Sequence, residues 1–252
     1  MPRPISGAVL LAASALVAGW AQAAEVRVAA AANFAVPLER IGAAFAAVTG
    51  HTLKVSAGAT GKFHSQIVAG APFEVLLAAD AGTPERLIAE GHAVPGTRFT
   101  YAIGRLVLWS AQPGRVDDQG AVLRSGRFEH LAIANPKTAP YGAAAIEVLQ
   151  ALGLDGALAP KLVTGESIAQ AFQFVATGNA ELGFVALSQV IAGASPGGSR
   201  WVVPQDLHAP IRQDAVLLRA GAGNPAATAF LVYLKSPAAQ QVIRSFGYGG
   251  SP

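Results

Sequence analysis

Short apolar segments alternate with amphipathic segments along most of the chain. In the first half, apolar runs typical of strands are followed by stretches whose apolar positions lie three and four residues apart, as in helices. The predicted strands are 25–31, 52–56, 73–78 and 99–110, and the predicted helices are 36–48, 61–69 and 83–90. This alternation is typical of an α/β fold, in which helices flank a parallel or mixed sheet.

The alternation restarts in the second half. Its predicted strands are 131–134, 161–163, 182–185 and 211–219, and its helices are 140–152, 167–177, 224–233 and 237–246, with a Gly/Pro/Ser loop at 195–199. The long strands 99–110 and 211–219 bracket this second unit, so the last two helices must return to the first. We therefore predict a discontinuous domain (24–103 plus 210–252), a continuous domain (104–209), and two crossing strands that form a hinge. A cleft between two such domains is a common ligand site.

The first 23 residues have the features of a signal peptide. Arg3 is their only charge, an apolar run covers 8–19, and small residues stand at Ala21 and Ala23. The alternative is a membrane anchor, but the run is short for a bilayer span. We expect cleavage after Ala23 or Ala24 and a soluble periplasmic protein, which we expect to be a monomer.

Composition and motifs argue against several classes of function. The chain has no cysteine, which excludes disulfides, thiolate ligands and a lipid-modified N-terminal cysteine. Its net charge of +3 is weak and scattered, so we expect no nucleic-acid partner. HExxH does not occur, and the five histidines are dispersed. We therefore expect no catalytic residue, no cation site and no cofactor.

Four predicted helices begin with small or hydroxyl residues directly after a strand or loop. The starts are Ala32-Asn33, Thr60-Gly61-Lys62, Pro140-Tyr141-Gly142 and Ser167-Ile168. Helix N-termini carry unpaired N–H groups and a partial positive charge, so converging starts would bind a small dianion. Simpler interpretations remain open, because Asn33 could be only a helix cap and Tyr141 only a packed aromatic. A carboxylate would repel a dianion, so we predict that Glu166 faces away.

The second of these starts is not a nucleotide-binding loop. In the P-loop pattern the first glycine would fall at Ser56, and the Ser/Thr after the lysine would fall at Phe63. What remains is the Thr60 hydroxyl between two glycines. Lys62 is interpreted as a solvated surface lysine or as a source of long-range attraction.

Several longer segments resemble one known family. They are AANFAVPLERIGAAF, GATGKFHSQIVAGAPFEVLLAAD, ANPKTAPYGAAA, GESIAQAFQFVATGNAELGFVALSQV and IRQDAVLL. Over nearly its full length the mature chain resembles the periplasmic molybdate/tungstate-binding proteins of ABC importers. The resemblance implies a two-lobed periplasmic-binding-protein fold (type II-like), a molybdate or tungstate oxyanion held between the lobes by neutral donors, and a membrane permease as partner.

The resemblance also implies a ligand set. Carried over by position, the oxyanion-binding residues are Ala32, Asn33, Thr60, Tyr141 and Ile168. One branch of the family has a tyrosine ligand where this chain has Ala186, and we expect the Tyr141 phenol to replace it. Ala32 has no hydroxyl, so only its backbone N–H can serve. The alternatives are a sulfate or phosphate receptor, an exported α/β enzyme, and the ligand-sensing domain of a regulator.

Overall fold

The computed structural model describes residues 23–193 and 198–250, which contain ten strands and ten α-helices. Apart from Ala23, the predicted signal peptide lies outside these ranges, as do residues 195–197 of the predicted loop. In chain order the strands are β1 (Glu25–Ala31), β2 (Thr52–Gly58), β3 (Val75–Leu77), β4 (Phe99–Gly104), β5 (Leu106–Ser110), β6 (Leu131–Ala134), β7 (Leu162–Gly165), β8 (Leu182–Ala186), β9 (Ser199–Val202) and β10 (Ile211–Leu217). The α-helices are α1 (Ala35–Thr49), α2 (Thr60–Val68), α3 (Gly82–Ala89), α4 (Val122–Ser125), α5 (Pro140–Ala151), α6 (Asp155–Leu158), α7 (Ile168–Ala176), α8 (Leu187–Ala192), α9 (Pro225–Leu234) and α10 (Pro237–Ser245).

The strands form two five-stranded mixed sheets. The first has the order β2-β1-β3-β10-β4, with β1 parallel to β2 and β3 and with β10 antiparallel to β3 and β4. The second has the order β7-β6-β8-β5-β9, with β6 parallel to β7 and β8 and with β5 antiparallel to β8 and β9. We call the two sheets with their helices lobe I and lobe II. Each lobe has its own buried apolar core, around Phe34, Phe45 and Phe230 in lobe I and around Trp109, Leu149 and Phe184 in lobe II.

The two crossings between the lobes differ from the sequence prediction. The predicted strand 99–110 is two strands in different sheets, β4 and β5, separated only by Arg105. The predicted strand 211–219 is β10, which lies wholly in the first sheet, so the return crossing is made by residues 203–210. Pro204 and Pro210 have no backbone N–H to donate to a ladder, which accounts for the irregular backbone there.

Local sequence signals explain most helix boundaries. Gly50 ends α1 in the left-handed conformation, with φ +75°. Asn224 and Ser236 accept backbone N–H bonds as N-caps, and each precedes a proline at the first helical position. No helix in the described ranges is both long and apolar enough to cross a membrane.

Candidate functional site

Four segments converge where parallel strands end, at the junction of the lobes. In lobe I, β1 leads into a 3₁₀ turn at Ala32–Phe34 and β2 leads into α2. In lobe II, β6 and β7 lead into α5 and α7. Because the carboxyl ends of parallel strands share one sheet edge, the helices that follow begin close together.

The convergence leaves a small cavity, with about 10 Å³ accessible to the centre of a water molecule. All five residues predicted as oxyanion ligands line it. The complete lining is Ala31, Ala32, Asn33, Gly58, Ala59, Thr60, Ala79, Ala139, Pro140, Tyr141 and Ile168. No member of this set is charged at neutral pH. The cavity can therefore offer neutral dipoles but no ion pair.

Three of these residues begin helices and direct backbone N–H groups outward. Thr60 and Ile168 are the first residues of α2 and α7, and Tyr141 is the second residue of α5. The first N–H groups of a helix have no acceptor within it. In the described part of the chain, none of these three N–H groups donates to another backbone or side-chain acceptor. Ser167 caps α7 as expected, accepting a bond from Gln170 N.

The Thr60 side chain is oriented by the neighbouring backbone. Thr60 is 1% exposed, and its Oγ1 accepts a hydrogen bond from Ala79 N at 3.0 Å. Ala79 also lines the cavity. Because the hydroxyl already accepts from Ala79, its own hydrogen remains available as a donor.

Asn33 does not cap a helix, so the simpler interpretation of this residue is wrong. Neither the 3₁₀ turn nor α1 has a side-chain cap hydrogen bond. Instead, Asn33 Nδ2 donates to Gln213 Oε1 and to Tyr248 Oη, both at 3.0 Å. The backbone carbonyl oxygen of Asn33 accepts from Tyr248 Oη at 2.8 Å and from Ser188 Oγ at 2.9 Å. Asn33 is therefore held by buried groups from both lobes.

The expectation that the Tyr141 phenol points at a ligand needs correction. Tyr141 Oη accepts a hydrogen bond from Gln213 Nε2 at 3.1 Å and lies against Gly104, where an added Cβ would overlap it. The phenol thus belongs to the buried contact between α5 and the crossing strands. Burial raises the pKa of the Tyr141 and Tyr101 phenols well above the ordinary value, so both remain neutral. At the start of α5, Tyr141 presents its backbone N–H. Ala186, where the related tyrosine would stand, is fully buried.

The cleft between the lobes is closed. Gly61 N donates to Thr138 O across it at 2.9 Å, and Lys62 forms an ion pair with Glu166. Both charged side chains are at least half exposed, and neither lines the cavity. Glu166 therefore faces away from the cavity, as predicted, and Lys62 is a cross-cleft partner rather than a solitary surface lysine.

A larger crevice, with about 420 Å³ accessible to the centre of a water molecule, adjoins the small cavity and shares Ala79, Ala139 and Pro140 with it. Its wall carries both signs of charge, from Asp80, Arg86, Lys137, Glu147 and Arg212. Burial raises the pKa of Asp80, although bonds from Thr83 oppose that effect. This mixed wall has no marked preference for an anion, in contrast to the donor-lined cavity. Within the described ranges, no group of three His, Cys, Asp or Glu side chains is arranged to hold a metal ion.

The sequence analysis missed the residues that support the cavity from behind. Gln213, Tyr101, Tyr248 and Ser188 are buried, and hydrogen bonds connect all four directly or indirectly to Asn33. One signal was available, because Gln213 and Asp214 are adjacent polar residues that directly precede the apolar end of strand β10. A β-bulge between them redirects the strand, and both side chains are fully buried.

Similar proteins match most of the length of this chain. Residues 26–249 match the model of a family described as bacterial extracellular solute-binding protein. The molybdate-binding protein ModA of Azotobacter vinelandii is 62% identical, covering 99% of each chain, and that of Rhodobacter capsulatus is 58% identical, covering 96% of this chain and 95% of the relative. The solved structure of an Azotobacter vinelandii periplasmic molybdate-binding protein superposes with a TM-score of 0.87 at 44% identity, covering 90% of this chain and all of that one. The two-lobed periplasmic-binding-protein fold expected from the sequence is thus confirmed, and the chain belongs to the bacterial extracellular solute-binding proteins.

Proposed function

We propose that this protein is a periplasmic receptor that captures molybdate or tungstate between its two lobes and delivers it to the permease of an ABC importer. The observation that carries the proposal is the cavity lined only by neutral groups, at which helix starts from both lobes converge. Relatives that are 62% and 58% identical bear the name of molybdate-binding proteins. We propose that Ala32, Asn33, Thr60, Tyr141 and Ile168 are the binding residues, with domain boundaries at 24–103 plus 210–252 and at 104–209.

Helix dipoles supply most of the positive potential that a dianion needs, without any cation. Each α-helix N-terminus acts as roughly half a positive charge, so the starts of α2, α5 and α7 together provide about one and a half. Backbone N–H groups of Thr60, Tyr141 and Ile168 and the Thr60 hydroxyl supply directed hydrogen bonds. Since no lysine or arginine lines the cavity, bond geometry rather than charge alone selects the ligand.

Among other oxyanions, hydrogen phosphate fits this cavity poorly. A protonated oxyanion needs an acceptor, and the helix starts present donors. Sulfate is the closer competitor, because it is also a tetrahedral dianion and differs chiefly in size. Competition between sulfate and molybdate therefore provides the sharpest test.

Calorimetric titration of the mature protein with molybdate, tungstate, sulfate and phosphate tests the proposal. We expect tight binding of the first two anions and little binding of the others. Native mass spectrometry of protein taken from the periplasm should find a bound mass close to that of molybdate or tungstate. Sulfate binding as tightly as molybdate would overturn the assignment, and failure to bind all four would overturn the oxyanion function.

A further inference from the structure

The Asn33 carboxamide has one buried atom without a partner. Its Nδ2 makes two hydrogen bonds, whereas Oδ1 has no hydrogen-bond partner in the described part of the chain. Asn33 is 2% exposed and lines the cavity. A buried acceptor left unsatisfied is destabilising and uncommon in folded proteins. In this orientation Asn33 Nδ2 donates to Gln213 and Tyr248, so the side chain has no N–H group left for an anion in the cavity.

Gln213 determines which way the Asn33 carboxamide is turned. It is fully buried, its Oε1 accepts from Asn33 Nδ2 and from Tyr101 Oη at 3.0 Å each, and its Nε2 donates to Tyr141 Oη at 3.1 Å. Since the oxygen faces Asn33, Asn33 must turn its nitrogen toward Gln213. The oxygen and nitrogen of an amide have nearly the same shape, so half-turns of both carboxamides preserve the packing and reverse the polarity.

We propose that Gln213 is a positioning residue that makes Asn33 an oxyanion donor, through paired half-turns of the two carboxamides when the ligand binds. In the rotated arrangement Asn33 Nδ2 donates to the oxyanion, and Asn33 Oδ1 accepts from Gln213 Nε2. This inference rests on the proposed function and extends it to a residue outside the cavity lining.

Every other group of the network keeps a partner after the rotation. Gln213 Nε2 can give its second hydrogen to Tyr101 Oη, whose own hydrogen bonds Ala78 O at 3.2 Å. Tyr141 Oη then donates to Gln213 Oε1. Tyr248 Oη can donate to Asn33 Oδ1, because Ser188 Oγ already donates to Asn33 O. Asn33 Oδ1 then has a hydrogen-bond partner. The rotated network therefore leaves fewer polar atoms unpaired whenever an anion accepts the bond from Asn33 Nδ2.

The rotation also bears on selectivity. With Asn33 Oδ1 occupied by Gln213, the side chain offers the ligand a donor only. An unprotonated dianion is then favoured over a hydrogen-bearing oxyanion, which would need that oxygen as an acceptor. Gln213 thereby contributes to ligand choice without touching the ligand.

A double-mutant cycle measured by calorimetry with sodium molybdate tests the inference. Gln213→Met keeps the side-chain length and removes the amide, and we expect about a tenfold loss of affinity, or about 1.4 kcal/mol. In an Asn33→Ala background the same change should cost less than about twofold, because Gln213 acts through Asn33. The matched control is Gln240→Met, which removes a partly buried carboxamide bonded to Tyr101 O and Leu234 O and should leave affinity unchanged.

A measurement on the unaltered protein covers the case in which Gln213→Met does not fold. With asparagine side chains labelled with nitrogen-15, the Asn33 Nδ2 resonances should shift strongly when molybdate is added. Unmoved resonances, or equal losses from Gln213→Met in both backgrounds, would overturn the role of Gln213 while leaving the receptor function intact. A wild-type protein that does not bind molybdate would instead overturn the proposed function itself.

Discussion

The two halves of the cavity present their donors in different ways. In the proposed site, lobe I adds two side chains to the Thr60 N–H, those of Asn33 and Thr60, and both are oriented by other groups, Gln213 and Ala79 N. Lobe II contributes backbone N–H groups of Tyr141 and Ile168, which are fixed by α5 and α7 themselves. A side-chain donor can be retuned by its neighbours, whereas a backbone donor at a helix start is as rigid as the helix. We infer that lobe II supplies a fixed half of the site and lobe I an adjustable one.

The largest expected effect concerns the two halves acting together. Since neither half alone surrounds a dianion, ligand binding should drive closure and stabilise the folded protein. At a thousandfold excess of molybdate over Kd the stabilisation is about 4 kcal/mol, which should raise Tm by about 8–16 °C. Small-angle scattering should record a smaller radius of gyration. A large rise in Tm with an unchanged radius would mean that the closed cleft described above is also the ligand-free form in solution, and the hinge would then be refuted.

Deleting an adjustable donor should have the next largest effect. Thr60→Ala removes the hydroxyl and also leaves Ala79 N without its acceptor. We expect a loss of about 1.5–3 kcal/mol in molybdate binding, or roughly tenfold to over a hundredfold in Kd, and a similar loss for Asn33→Ala. Thr49→Ala is the matched control, because its hydroxyl also accepts a backbone N–H bond, from His51 N, and donates to Phe45 O at the far end of α1. Calorimetry that finds equal affinities for Thr60→Ala and Thr49→Ala would refute the role of Thr60.

The backbone N–H of Ile168 can be removed by mutation, because Ile168 is the first residue of α7. Proline is tolerated at the first helical position, and Ser167 already has an extended conformation suited to precede it, with φ −144° and ψ 170°. Ile168→Pro should therefore reduce molybdate affinity by about tenfold while α7 stays helical by circular dichroism. Ile168→Val keeps the N–H and should bind nearly as well as wild type. Equal losses in both variants would indicate that side-chain packing, not the N–H group, is responsible.

The ion pair across the cleft should have the smallest effect. Exposed pairs are generally worth less than about 1 kcal/mol, so Lys62→Ala should change Kd by less than about fivefold. Glu166→Gln separates two explanations. If the pair holds the lobes together, both variants weaken binding by similar factors, as we expect; if Lys62 attracts the dianion, Glu166→Gln strengthens binding. A loss from Lys62→Ala larger than that from Thr60→Ala would contradict recognition by neutral donors.

Local signals in the sequence were sufficient for the helix starts but not for their supporting groups. Thr60, Tyr141 and Ile168 were recognised because the signals for them lie in adjacent residues. These signals are the strand-to-helix boundaries, the proline at the start of α5 and the Ser167 cap. Gln213 and Tyr248 were not, because their roles depend on hydrogen bonds to Asn33 from 180 and 215 residues away. The direction of the Tyr141 phenol was mispredicted for the same reason, since its partner Gln213 lies 72 residues further along the chain. The break at Arg105 was missed because an apolar strand pattern does not reveal which sheet each half joins.

The hydrogen bonds between Tyr248 and Asn33 join the two ends of the described chain. The two residues are 215 positions apart, and most of lobe I and all of lobe II lie between them. In a chain that crosses a membrane before it folds, as the proposed export requires, this contact can form only after nearly the whole chain has arrived. A truncation that removes Tyr248 would keep all ten strands and take two hydrogen bonds away from Asn33.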